Sequence, residues 1–263
     1  MGVFEVVADL GDAAVSTSES QPLIEADHVS LAYTLNRDRA GTVKEFAFQL
    51  LKRQITAEKF LAVDDVSFRV NRGETVAMIG RNGAGKTTIM KVVARVLPPT
   101  DGRVVVRGVV APMIALGAGF NNELNAIENI VLFGTLLGRD PEEMRDRARS
   151  IGEWAELTDF MDVAIRSYSS GMMARLGFAV AADVDPDVMV VDEVLSVGDE
   201  SFQRKSFEKM QSLMEGGTAV LLVSHVMDKV LEVSDRVIWL QKGRIEMEGD
   251  PDEVVKAYRA SFG

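Results

Sequence analysis

The chain contains no cysteine. That excludes a disulfide framework and a thiolate metal site, and it suits a cytosolic protein. Long apolar runs are also missing. A spanning helix needs about 18–20 consecutive apolar residues; the nearest approach, Val104 to Phe120, is broken by Arg107 and Pro112. Work at a membrane would therefore leave the spanning to other chains. The N-terminus has no basic segment and carries Glu5, Asp9 and Asp12, so a secretory signal is not expected. Basic residues are in deficit: 29 Lys and Arg against 40 Asp and Glu, a net charge of −11. A nucleic-acid binder is expected to show a basic face, so no nucleic-acid partner is expected. No internal repeat is visible.

What is present suffices for a core. Of 263 residues, 47% are hydrophobic, enough for one large domain or two small ones. Residues 1–22 mix Asp, Ser, Thr, Glu and Ala and read as a flexible tail; a domain is expected over 23–263. Leu23 to Tyr33 reads as a strand. Residues 36–59 read as an inserted amphipathic helix followed by a basic linker: Val43, Phe46, Ala47, Leu50, Leu51 and Gln54 form a stripe at helical spacing, with Lys44, Lys52 and Arg53 off it. Such a helix either packs on its own domain or meets a partner subunit or a lipid surface.

The stretch Gly80-Arg81-Asn82-Gly83-Ala84-Gly85-Lys86-Thr87 fits G-x-x-x-x-G-K-[ST]. Thr75 to Ile79 before it reads as a buried strand, and Thr88 to Val96 after it as a helix. Glycines let the backbone curl until several N–H groups point at one anion, and the helix N-terminus adds its positive end. The phosphate-binding candidates are Gly80, Asn82, Gly83, Ala84, Gly85, Lys86, Thr87 and Thr88. Lys86 would reach the β- and γ-phosphates, and the Thr87 hydroxyl would bind Mg²⁺.

Val188 to Val191 is a short apolar strand ending in Asp192-Glu193. In open α/β sheets ligands bind at the C-terminal ends of strands. Beside a phosphate loop, Asp192 would hold Mg²⁺ and Glu193 would take a proton from the attacking water. Ser169, Ser170 and Gly171 precede an apolar helix, Met173 to Val184. They form either a second anion site or a plain serine cap. Asp140-Pro141 and Asp250-Pro251 each read as a cap followed by proline at the first helical position. Strands alternate with helices, as in a mainly parallel α/β sheet.

Taken in order, these motifs resemble the ATP-binding cassette (ABC) proteins over about residues 23–260. Tyr168-Ser169-Ser170-Gly171-Met172 is similar to the LSGGQ signature. Ser196-Val197-Gly198-Asp199 resembles the D-loop, Ser224-His225 the switch histidine, and Ser234-Asp235-Arg236-Val237 with Gly243-Arg244-Ile245 the end of the cassette. The resemblance implies a P-loop NTPase of α/β class with a RecA-like core, an antiparallel β-subdomain, and a helical subdomain over about 123–184. It implies ATP and Mg²⁺ as cofactors, Glu193 and His225 as catalytic residues, and a homodimer. In that dimer Ser169, Ser170 and Gly171 act in trans, and Asp199 belongs to the D-loop. The adenine platform is either Tyr33 or Phe60.

Leu116-Gly117-Ala118-Gly119-Phe120, Glu128-Asn129-Ile130 and Asp192-Glu193-Val194-Leu195-Ser196-Val197-Gly198-Asp199 resemble the ATPase subunits of polysaccharide and teichoic-acid exporters. The resemblance is to the form expected to lack a carbohydrate-binding domain after the cassette. It implies an integral membrane permease as partner, a lipid-linked polysaccharide or polyol-phosphate polymer moved through that permease, and a peripheral position on the cytoplasmic face of the membrane. Gly117 to Glu128 would receive a helix of the permease. Two departures stand out: no Gln lies between Pro112 and Asn122, and Met172 replaces the signature Gln. The rival readings are the ATPase of an ABC importer and a soluble ABC ATPase.

Overall fold

The computed structural model describes residues 3–7, 21–36, 57–114, 116–117, 119–192 and 198–262. Among the described residues ten strands form two sheets. The first is ordered β1 (Val3–Val7), β5 (Asp101–Arg107), β2 (Ile24–Asn36), β3 (Ala57–Val70); β1 runs parallel to β5 and the other pairs are antiparallel. The second is ordered β10 (Arg244–Gly249), β9 (Arg236–Gln241), β4 (Thr75–Ile79), β8 (Ala219–Val223), β7 (Val188–Asp192), β6 (Val110–Met113). It is parallel apart from the β9–β10 hairpin.

The second sheet is covered on both faces, which is why its inner strands are apolar throughout rather than alternating. Val76 and Met78 of β4 enter one core, shared with α1 (Lys86–Val93) and the first sheet. Ala77 and Ile79 enter the other, shared with α4 (Ser170–Asp183) and α5 (Glu200–Glu215). The same split divides Val188 and Val190 from Met189 and Val191 on β7. Each such side chain contributes on the order of 1.5–3 kcal/mol when fully buried.

The helices α2 (Ala126–Leu136) and α3 (Pro141–Trp154) pack with α4 around Ile130, Met144, Ala148, Ile151 and Leu176. Asp140 accepts from the amides of Glu142 and Glu143 at 2.8 and 3.1 Å. Asp250 does the same for α7 (Pro251–Ala260). α6 (Met227–Val233) completes the set of helices among the described residues.

Two sequence expectations are corrected. The region expected as a tail carries β1, whose Val3 to Val7 align with Arg103 to Arg107. The inserted segment is narrower than 36–59: Asn36 belongs to β2 and residues 57–59 to β3, which pair as far as Asn36↔Ala57. Residues 37–56, with the amphipathic stripe, lie outside the described residues. Pro112, which interrupts the apolar run from Val104, sits in β6; β6 is an outer strand, where the missing proline N–H disrupts no central ladder.

Candidate functional site

Strands β4, β8 and β7 are neighbours in the sheet and parallel, so their C-terminal ends lie side by side. The loop after β4 carries Gly80 to Lys86, β7 ends in Asp192 opposite Val223 of β8, and His225 follows β8. A cavity of about 340 Å³ opens at this edge. It is lined by Asn82, Gly83, Ala84, Gly85, Lys86, Thr87 and Thr88, together with Asp192, Val223, His225, Tyr33, Phe60 and Ala62. Residues from five separate stretches of chain thus meet at one surface, the position expected of a ligand site in an open parallel sheet.

The loop is shaped by two glycines and by neighbours that hold it. Gly80 has φ +148°, and an added Cβ would stand 2.3 Å from the carbonyl oxygen of Leu240. Gly85 caps α1 in a left-handed conformation (φ +108°), and a Cβ there would meet the Ala62 carbonyl oxygen at 2.6 Å. The β9–β10 turn braces the loop: Gly243 N donates to the Ala84 carbonyl at 2.9 Å, and Asp64 N donates to the Gly243 carbonyl at 2.9 Å. This bridge ties β3 to the loop and brings Phe60 to the cavity. Lys86 opens α1 and is buried; its Nζ donates to the carbonyls of Gly80 and Arg81 at 2.7 and 3.1 Å. Charge-assisted bonds of this kind contribute about 1.5–3 kcal/mol.

The two aromatic candidates are paired in register across β2 and β3, Tyr33 against Phe60. Their surroundings differ. Tyr33 packs on the core beneath α1, with its hydroxyl 3.5 Å from Thr88 Oγ1. Phe60 is 50% exposed at the cavity.

A second cavity, about 480 Å³, is lined by Ser169, Gly171, Met172, Arg175, Gly198, Asp199, Glu156, Leu157 and Phe160. It shares no residue with the first. The structure therefore brings the signature residues and Asp199 together, but not onto the phosphate loop of the same chain. Ser169 is the cap of α4, its Oγ accepting from Met172 N at 3.2 Å. Ser170 is exposed and does not line this cavity. Asp199 caps α5: Oδ1 accepts from the Phe202 amide (3.0 Å) and the Ser201 hydroxyl (2.7 Å), and Oδ2 from Arg175 (2.8 Å). The Phe202 amide, then the Ser201 hydroxyl, with Arg175 adding, hold its carboxyl below the ordinary aspartate range. Glu193, expected as the proton acceptor, and residues 194–197 lie outside the described residues.

Sequence reasoning missed two residues. Asn129 is fully buried on α2; its Oδ1 accepts from Asn121 N, and its Nδ2 lies within reach of the carbonyls of Asn121, Leu124 and Asn125. An Asn inside an apolar helical run was the available signal. Arg175 joins α4 to both Glu156 (3.0 Å) and Asp199. No local pattern announces a pair 24 positions apart.

A glycine loop between strand and helix, a buried lysine and a threonine opening that helix, and a carboxylate at the end of β7, two places from β4 in the parallel sheet, define a P-loop nucleoside-triphosphate-binding protein. Residues 63–196 match the family described as ABC transporter. The chain is 44% identical to the O-antigen export system ATP-binding protein RfbB of Klebsiella pneumoniae, over 92% of this chain and 99% of that one. It is 39% identical to the teichoic acids export ATP-binding protein TagH of Shouchella clausii, over 88% of this chain and 63% of that one. Its fold is that of an ATP-binding cassette solved as a dimer in a post-hydrolysis state with ADP and Pi, with a TM-score of 0.68, 21% identity, and coverage of 87% of this chain and 98% of that one. The chain belongs to the ABC transporter family, as an ATP-binding ATPase subunit. Among the described residues no helix is long and apolar enough to cross a membrane.

Proposed function

We propose that this chain is the ATP-hydrolysing subunit of an exporter that moves a lipid-linked cell-surface polysaccharide or polyol-phosphate polymer across the cytoplasmic membrane. The observation that carries the reading is the gathering of Lys86, Asp192 and His225 around one glycine-rich cavity at the strand ends. The polymer class is taken from the relatives named for O-antigen and teichoic-acid export. The polymer would pass through an integral membrane permease, and this chain would sit peripherally on the cytoplasmic face.

ATP is the substrate. Its phosphates lie along the loop amides and Lys86, and its adenine rests on Phe60, whose ring is open to the cavity while the Tyr33 ring is engaged with the core. The oxygen donors present fit a hard divalent cation: the Thr87 hydroxyl and Asp192 carboxylate both line the cavity, and Mg²⁺ is commonly held by one or two protein oxygens plus phosphates. Mg²⁺ supplies neutralisation of phosphate charge when bound. Glu193 takes the proton of the attacking water, with His225 beside the phosphate end.

Two copies pair head to tail. Ser169 and Gly171 of one then complete the site on the other's phosphate loop, and the separation of the two cavities within one chain supports this arrangement. Residues 117–128 receive a helix of the permease. The missing Gln of this loop removes a group that would sense the metal ion, leaving mechanical coupling. The inserted segment meets the permease or anionic headgroups through Lys44, Lys52 and Arg53.

The test mixes two inactive chains, Lys86→Ala and Ser169→Arg. Mixed dimers regain one composite site, and ATP hydrolysis returns. Mixed dimers that form without recovering activity would count against the trans site. Co-purification with a membrane permease, and intracellular accumulation of the lipid-linked polymer on loss of the chain, test the transport reading.

A further inference from the structure

Phe160 ends the short 3₁₀ turn Thr158–Phe160 and belongs to neither hydrophobic core. It is 47% exposed, yet held in place. Its carbonyl accepts from Val163 N at 3.0 Å and from the Tyr168 hydroxyl at 2.7 Å. The Tyr168 ring meets its ring edge-on, 6.4 Å between centroids at 81°. The hydroxyl bond depends on the tyrosine in Tyr-Ser-Ser-Gly-Met; a leucine there would have no hydroxyl to donate. The first residue of the signature stretch therefore fixes an aromatic wall on the cavity whose floor holds Ser169 and Gly171.

A ligand meeting that cavity touches the polar side chains of Ser169, Arg175, Glu156 and Asp199 and, besides them, the flat apolar ring of Phe160. A nucleoside triphosphate bound on a second copy has the same division, phosphates at one end and a planar base at the other. In the first cavity the phosphate loop and the exposed Phe60 supply the matching halves. We propose that Phe160 packs, in trans, against the nucleoside of the ATP bound on the partner copy, with Tyr168 as its positioning residue. The composite site then has an aromatic contributed by each chain, one at Phe60 and one at Phe160. This rests on the head-to-tail dimer proposed above.

The test uses the full chain carrying Glu193→Gln, so that ATP is retained. ATP-driven dimerisation is followed by sedimentation, alone and with Phe160→Ala or Phe160→Tyr. Phe160→Ala raises the ATP concentration at the midpoint roughly two- to tenfold, the range of one aromatic contact, and Phe160→Tyr restores it. In dimers mixing an intact chain with a Lys86→Ala chain, photolabel from 8-azido-ATP appears on the Phe160 peptide of the Lys86→Ala chain. An unmoved midpoint, or label confined to the chain with the intact loop, overturns the assignment of Phe160 alone. A Glu193→Gln parent that does not dimerise with ATP overturns both this inference and the dimer beneath it.

Discussion

Arg175 Nη2 lies 2.8 Å from Asp199 Oδ2, joining the helix after the signature serine to the cap of the helix after β7. The guanidinium also bonds Glu156 at 3.0 Å and lies 4.9 Å from the centroid of the Phe202 ring. Exposed ion pairs are weakened by solvent screening, so the geometry of this junction matters more than its strength. It links two residues that line the second cavity, Glu156 and Asp199, through one side chain of α4. Arg175→Ala should leave the chain folded and able to bind ATP on its own loop. It should lower hydrolysis by the dimer on the order of tenfold, because positioning errors are costly at the reacting centre. Steady-state hydrolysis beside nucleotide binding at low protein concentration checks this; equal loss in both would show a folding defect.

The same aspartate carries a pH signature. Its folded carboxyl titrates below the unfolded value, held there by the Phe202 amide, the Ser201 hydroxyl and Arg175. The charged form is the one favoured by folding. Its contribution is therefore complete above the unfolded aspartate range near pH 4 and is lost as pH falls through the lower folded value. Asn caps helices about as well as Asp. Asp199→Asn should therefore be less stable than the parent at pH 7, and the gap should narrow as pH falls below the ordinary aspartate range. Thermal melts of both proteins from pH 7 to 3 decide it; a constant gap would exclude the linkage.

Glu193→Gln keeps the size of the side chain and removes the proton acceptor. General-base help is typically worth 10²–10⁴-fold, so hydrolysis should fall by about that factor while ATP binding survives. Single-turnover hydrolysis at saturating ATP checks this, and a normal rate would remove Glu193 from the proposed mechanism.

Gly80→Ala should damage both stability and binding. The new Cβ would meet the Leu240 carbonyl oxygen at 2.3 Å, and a main-chain carbonyl in the sheet has no room to retreat. Strain of roughly 1–3 kcal/mol should lower the melting temperature by several degrees. It should also weaken nucleotide binding, since the first turn of the loop must shift. Calorimetric melting and titration with ATP measure the two effects.

Asn129→Ala should loosen residues 121–125. The substitution leaves the Asn121 amide without its acceptor, at about 1–3 kcal/mol for an unsatisfied group, while the carbonyls of Asn121, Leu124 and Asn125 keep their backbone donors. Denaturant unfolding and amide exchange over 121–128 check this; unchanged exchange would show that the loop is held by other contacts.

Much of the site was legible beforehand because its parts are local. The glycine loop needs particular backbone angles at adjacent positions, and only a short list of residues supplies them. The strands β4 and β7 were visible as apolar runs because both faces of their sheet are covered. The helix starts at Asp140 and Asp250 were visible because a cap is a contact over two or three residues. The edge strand β6 was hidden by Pro112, whose local preference argues against a strand. The pairing of β1 with β5 was hidden because no property of residues 3–7 names a partner a hundred positions away.

The sequence alone thus determined the phosphate loop, the carboxylate at the end of β7, and the α/β alternation, all of which follow from backbone preference and burial period. Only the tertiary structure decided which distant groups meet. It set Tyr33 and Phe60 opposite one another at the cavity, with Phe60 exposed and Tyr33 also packed on the core. It joined Arg175 to Asp199, and it set Ser169 in a cavity apart from Lys86. Those outcomes depend on strand order and on the twist of packed layers, through which residues remote in the chain become neighbours. A linear pattern encodes such contacts collectively, through the packing of the whole, and no single stretch carries them.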